Sequence, residues 1–203
     1  MAIHIHNNDL PENLDLGTII AIDTETMGLN PHRDRLCLVQ LSSGDGEAHL
    51  VKIAHPRADT PHLKALLADP TRAKLFHFAR FDVAALENNI GPIAGDIYCT
   101  KIASKLARTY TDRHGLKDLC RELLGVDLSK QQQSSDWGAD NLTDDQATYA
   151  AGDVLYLHQI RTRLDIMLER EARQHLAAAC FEFIRTRTAL DLGGFADLDI
   201  FHH

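Results

Sequence analysis

Strand-length apolar runs fill the first half of this chain, and helical spacing takes over in the second. Thr18 to Ile22 reads TIIAI, so the pattern predicts a buried strand over 17–23. Two further runs, 36–42 and 47–53, are joined through SSGDGE, a hairpin turn signal. Helices are predicted over 61–68 and 80–90, with a strand at 74–78 between them. Ile97 marks a short strand before a helix over 98–108. Leu116, Leu119, Cys120, Leu123 and Leu124 keep helical spacing, and Gly125 is placed to end that helix. Thr143-Asp144-Asp145-Gln146 is a capping-box pattern with acid in its first turn, which predicts the start of a long helix. A last helix is predicted over 171–188. Three early strands, then strands alternating with helices, describe an α/β fold with a mixed central sheet flanked by helices.

Two segments fall outside this pattern. Ser129 to Asn141 (SKQQQSSDWGADN) is too polar for a core and is predicted to be a loop, anchored by packing of Trp137. The tail LDLGGFADLDIFHH is apolar but too short for another domain. The expected division is one enzyme-sized domain over 1–190 and a tail over 191–203 that contacts another subunit.

The predicted strand over 17–23 ends in IIAIDTETMGL. Asp23 and Glu25 are two residues apart, so on an extended chain they share a face. Asp82 sits where the helix after KLFHF begins. Tyr149 and Asp153 are four apart on the helix that follows the capping box and share one face of it. Strand ends and one helix are thus placed to converge four carboxylates. Like charges raise each other's pKa, so such a group calls for divalent cations. Oxygen donors without Cys or an obligatory His favour Mg²⁺ or Mn²⁺. Two such ions ~4 Å apart serve phosphoryl transfer. Tyr149 is then placed to orient the attacking water.

Composition is that of a globular enzyme. The chain has 203 residues, 44% apolar and 25% charged, enough for a sizeable core. No apolar run reaches the ~20 residues of a membrane span, and MAIHIHNNDLPEN lacks the regions of a secretory signal. Four isolated cysteines (Cys37, Cys99, Cys120, Cys180) are expected to be reduced in a cytoplasmic protein. The net charge of −8 opposes long polyanions. Local basic residues exist: Lys101, Lys105 and Arg108 lie at i, i+4 and i+7, followed by Arg113, His114 and Lys117. They are expected to face a phosphodiester substrate.

These carboxylates, with Tyr149, resemble the motifs of the DEDDy 3′-to-5′ exonucleases of the ribonuclease D superfamily, over roughly residues 17–168. The resemblance implies the ribonuclease H-like (DnaQ-like) exonuclease fold. It implies that Asp23 bridges two ions, that Glu25 and Asp153 hold the water-activating ion, and that Asp82 supports the other. It also implies that Leu29 wedges between the last two bases, the alternative being a buried hydrophobic staple. CTKIASKLARTYTDRHGLKDLC, LSKQQQSSDWGADNL and ACFEFIRTRTALDLGGFADLDIF are similar to the nanoRNase C branch, which degrades very short RNAs. That branch implies a homo-oligomer, a ring octamer. Phe78 stands where many relatives carry Asn, and Asn141 where ribonuclease D carries Pro. Substrate-binding candidates are Thr26, Gly28, Leu29, His77, Lys101, Arg108, Arg113 and His114, with His77 read first as a core residue. The expected activity is exoribonuclease action on dinucleotides, releasing nucleoside 5′-monophosphates. The alternatives are a general RNA or DNA exonuclease of ribonuclease D type and an RNA-binding module on an exonuclease fold.

Overall fold

The structure, a computed structural model, describes residues 2–56, 58–129 and 131–202; Lys130 of the polar loop and His203 of the tail lie outside them. Six strands form one sheet in the order β1-β4-β3-β2-β5-β6. They are β1 (Ala2–Asn7), β2 (Ile19–Thr26), β3 (Leu36–Ser42), β4 (Glu47–Lys52), β5 (Ala73–Phe76) and β6 (Ile97–Cys99). β2, β3 and β4 run antiparallel to their neighbours in the hairpin series, while β1–β4, β2–β5 and β5–β6 are parallel. The helices are α1 (Pro61–Ala68), α2 (Ala79–Asn89), α3 (Thr100–Ala107), α4 (Leu116–Leu119), α5 (Asp144–Leu155), α6 (Leu157–Arg170) and α7 (Gln174–Leu190).

Alternation along the strands sorts the core into two layers. Ile20, Ile22, Val39, Leu41 and Phe76 face α1, α2 and α7, joining Leu63, Val83, Leu86 and Ile184. Ala21, Ala48 and Leu75 face the other way, against Ala151, Val154 and Leu157 of α5 and α6. β3 is buried at every position, Gln40 and Ser42 included, because helices cover both faces of the sheet there.

The expected mixed sheet is present, and three details differ from the sequence reading. β1 was not expected. Its Ala-Ile-His-Ile-His alternates with period two, but histidine in place of a plainly polar partner hides the signal. The long helix after the capping box is two: Tyr156 (φ −104°, ψ −5°) breaks α5 from α6. The helix over 116–124 widens into a π-helical turn at Cys120–Leu124, and Gly125 ends it in left-handed backbone (φ 71°) as expected.

The capping box is complete. The Gln146 backbone N–H donates to the Thr143 hydroxyl, and the Gln146 side chain accepts from the Thr143 backbone N–H. The remaining amide of Gln146 donates to the Ser135 hydroxyl and the Asp136 carbonyl, so one residue both caps α5 and holds the polar loop. Trp137 is buried against Cys37, Leu38, Leu50 and Ala147, the packing role expected of it.

Lys74 lies fully buried in β5. Its ammonium donates to the carbonyls of Asp69 (2.6 Å), Arg72 (2.8 Å) and Ala94 (2.7 Å), closing the α1–β5 and α2–β6 connections around one cation. Lys74→Met keeps the stem and strips all three donors from buried carbonyls. It is expected to cost about 3 kcal/mol or more, read as a lower urea midpoint with an unchanged slope. A change below about 0.5 kcal/mol would show that the carbonyls find other partners.

Candidate active site

β2 is the strand from which the site is built. Asp23 and Glu25 share the parity of Ala21 and so face α5; Thr24 shares the parity of Ile22 and faces α2. α5 brings Asp153 to the first face. Ligand-capable oxygens of Asp23, Glu25 and Asp153 lie within 4.8 Å of one another. α2 brings Asp82 to the second, where the Thr24 hydroxyl donates to its Oδ1 at 2.7 Å. Gln40 of β3, paired with Asp23 across the ladder, points its amide at Asp23 Oδ2 from 3.4 Å. Asp82 is buried beneath the floor, while Asp23, Glu25 and Asp153 line a cleft of about 790 Å³.

Burial disturbs all four carboxyls, and mutual repulsion adds to it at Asp23, Glu25 and Asp82. Desolvation, then the charges of Asp82, Asp153 and Glu25, raise Asp23 well above the usual carboxylate range. Glu25 is pushed up to about 9 by desolvation and by Asp153 and Asp82. Asp82 rises to about 7 by desolvation, opposed by the Thr24 hydrogen bond. Asp153 also rises to about 7 by desolvation, opposed by the Tyr149 hydroxyl. Desolvation and the carboxylates raise the Tyr149 phenol above its ordinary value, so it stays protonated and available as a donor. A site of oxygen donors only, short of positive charge, fits hard divalent cations.

The walls come from five segments, one of them Gly115 to Lys117 at the start of α4. Thr26 ends β2 and Gly28 and Leu29 follow it; His77 and Phe78 follow β5; Lys101 lies in the first turn of α3; and Ser129, Gln133, Ser135 and Trp137 come from the polar loop. A side chain at Gly28 would put its Cβ 2.3 Å from Asp34 Oδ2, so close approach of Asp34 explains the glycine. Leu29 is the most exposed large apolar residue described, at 83%. Phe78 caps α2 in left-handed backbone (φ 71°), a conformation that costs a non-glycine residue energy and that Asn would accept more readily. The Lys101 ammonium sits 4.1 Å over its ring. The Thr100 hydroxyl donates to the Phe76 carbonyl and accepts from His77 Nδ1 at 2.8 Å, which leaves His77 Nε2 as an acceptor. Burial and Lys101 hold His77 down to about 3, so the ring is neutral. Trp137 packs on the Tyr149 ring (centroids 5.9 Å apart), fixing the phenol's direction.

The sequence over residues 6–169 matches the family described as 3′-5′ exonuclease. The chain belongs to that family. Among solved structures it superposes on Brucella melitensis NrnC with bound Mg²⁺ at 54% identity and a TM-score of 0.94, each chain covered in full. The same protein bound to pGG gives 55% identity and a TM-score of 0.96, over 100% of this chain and 99% of that one. Ribonuclease D of Gluconacetobacter diazotrophicus is 35% identical over 80% of this chain, which spans only 41% of that protein's length.

For an exonuclease of this family the structure corrects part of the sequence reading. Arg108 is fully buried. It caps α3, donates to Ser104 Oγ and the Arg113 carbonyl, and pairs with Glu122, so it presents no guanidinium to a substrate. The expected helix-face stripe therefore stops at Lys105, because the chain turns inward at the end of α3. Arg113 and His114 do not line the cleft; His114 Nδ1 instead meets Ser104 Oγ at 2.9 Å. Lys117 does line it, together with Phe78 and Gln133. Lys117 belongs to the basic run already visible in the sequence, but only the turn before α4 decides which cations face inward.

The raised carboxyls make a prediction for the metal-free protein. Their unfolded values lie near 4 and their folded values near 7 to 9, so the folded state binds protons more tightly. The stability this contributes is complete below about pH 4 and lost as pH rises through about 7 to 9. In EDTA the melting temperature should therefore fall from pH 5 to pH 9, and saturating Mg²⁺ should flatten the fall. An identical slope with and without Mg²⁺ would mean that the cation does not bind these groups.

Proposed function

We propose that this chain is a metal-dependent 3′-to-5′ exoribonuclease that hydrolyses very short RNA, dinucleotides above all, to nucleoside 5′-monophosphates. The observation that carries the reading is the union of an acidic floor with a cleft of limited size. About 790 Å³ lies within the range of small-ligand sites and suits two nucleotides better than a long strand. Full-length likeness to a protein solved with pGG supports the same size of substrate. Among the described residues no helix is long and apolar enough to cross a membrane. The four cysteines are free thiols, in keeping with a cytoplasmic setting.

Asp23, Glu25, Asp82 and Asp153 are assigned to two divalent cations, Mg²⁺ or Mn²⁺, which when bound offset the charge that develops on the attacking and leaving oxygens. The chain's own groups do the rest. Tyr149 donates a hydrogen bond that aims the water at phosphorus; its raised pKa makes it an orienting donor, not a base. The water oxygen bonds to phosphorus as the P–O3′ bond breaks; the terminal nucleoside departs as its 5′-monophosphate, and the preceding O3′ is left as a hydroxyl that takes up the proton the water gives to solvent. Leu29 is placed to wedge between the two bases, and His77 Nε2 to accept from a sugar hydroxyl. Lys101 and Lys117 are the cations for a 5′-phosphate, in place of Arg108, Arg113 and His114.

Assembly is assigned to the tail. Its root is tied within the chain, where Asp191 accepts from Arg80 (2.5 and 2.8 Å) and Arg187. Phe201 packs at a tilt against Phe183 of α7, but Leu198, Ile200 and Phe201 stay exposed, an apolar edge suited to a partner subunit in a homo-oligomeric ring of eight.

Two measurements test the function. Tyr149→Phe removes only the orienting hydroxyl and should lower kcat by about 100-fold or more with KM little changed; a change confined to KM would make Tyr149 a binding residue. Across RNAs of two to about seven nucleotides, kcat/KM should be highest for the 5′-phosphorylated dinucleotide and fall with length and with loss of that phosphate. Equal turnover of the longest RNA would favour a general exonuclease of ribonuclease D type, and equal turnover of the DNA dinucleotide would remove the RNA preference.

A further inference from the structure

The outer edge of the sheet carries a second group of metal-ligating side chains, remote in the strand order from the acidic floor. β1 pairs with β4 in parallel with Ala2 opposite Glu47 and His4 opposite His49. His4 and His6 share one face of β1, and Glu47 and His49 share one face of β4. The pairing brings the four together. His4 Nε2 lies 3.0 Å from Glu47 Oε2, and His6 Nε2 lies 3.0 Å from His49 Nδ1. The rings of His4 and His49 stack with centroids 4.8 Å apart, and those of His6 and His49 at 5.3 Å. One ligand atom from each of His4, Glu47 and His49 falls within 4.8 Å of the others.

We propose that His4, His49 and Glu47 form a transition-metal site, for Zn²⁺ or an ion of similar preference, with His6 as the residue that orients His49. The donor set decides the class of ion. Two imidazoles and one carboxylate suit Zn²⁺, whereas Mg²⁺ and Mn²⁺ favour oxygen. Nitrogen and oxygen ligands about 2.0–2.2 Å from zinc stand about 3.3 Å apart in a tetrahedron, so side-chain rotation closes the existing spacing. His49 is buried and rigid; His4 and Glu47 are half exposed and free to rotate onto an ion arriving from solvent. The 3.0 Å contact between His6 and His49 is the kind of outer hydrogen bond that fixes a ligand imidazole's tautomer. The consequence is structural. β1 is an edge strand with one sheet neighbour, and an ion shared by β1 and β4 would pin it.

The test is Zn²⁺ binding to the full chain with Mg²⁺ in large excess, so that the acidic floor is filled. Bound zinc is counted after dialysis, and melting temperature is followed in parallel. The expected result is one Zn²⁺ per chain and a higher melting temperature. Both should be lost in His4→Ala and His49→Ala and kept in Asp23→Asn. His6→Gln should weaken binding by about 10- to 100-fold. His4→Ala is half exposed at the edge and should fold and cleave RNA like the wild type, so loss of zinc there is not loss of structure. Zinc binding that survives both histidine variants, or that vanishes in Asp23→Asn, would overturn the proposal, as would no bound zinc in the wild type. Exonuclease activity does not enter the readout, so this test fails or succeeds apart from the catalytic reading.

Discussion

Everything at the site depends on carboxyls held together out of water, and that closeness comes from the alternation of a single strand. β2 carries Asp23, Thr24 and Glu25 in succession. Its odd positions face α5 and its even position faces α2. One strand thereby gathers Asp153 on one side and, through the Thr24 hydroxyl, Asp82 on the other. Slipping the register by one residue would turn the acids into the layer that holds Ile20 and Ile22. Burial makes the charged forms costly, and repulsion adds to that at Asp23, Glu25 and Asp82, so every one of the four carboxyls is displaced toward its protonated form. A cation relieves that repulsion, so the need for metal is built into the packing.

The remainder of the fold holds this group still. β2 sits between β3 and β5 inside the sheet, with helices on both faces. The polar loop, which forms one wall, is tied down at several points. Gln146 holds Ser135 and Asp136, Arg35 donates to the Gly138 carbonyl at 3.3 Å, and Lys52 reaches the Ala139 carbonyl. Trp137 then links that wall to the Tyr149 ring. On the opposite wall Phe78 bears a strained backbone beside Lys101, a local cost that the packing of α2 against the sheet sustains.

The chain's cations are divided between structure and site. Lys74, Arg108 and Arg185 are directed at backbone carbonyls or an internal carboxylate, where they close connections between elements. Lys101 and Lys117 are left to face the cleft. A net charge of −8 is thus compatible with a site for a small anionic substrate.

By itself the sequence determined the mixed sheet, the strand and helix order after residue 17, the capping box, and the carboxylates with Tyr149. Each of these is a local property: alternation, helical spacing, a cap, or a two- or four-residue interval. Only the tertiary structure decided the rest. Arg108 looks like its neighbours Lys101 and Lys105 in helical spacing, yet it turns inward because α3 ends at Ala107 and Glu122 approaches from the turn beyond α4. β1 acquires its partner 45 residues away in register, which no local pattern announces. Gly28 owes its identity to Asp34, which the turn after β2 folds against it. Which cations face the cleft, and which histidines meet at the sheet edge, depend on contacts between distant segments, and burial supplies the energy that selects them.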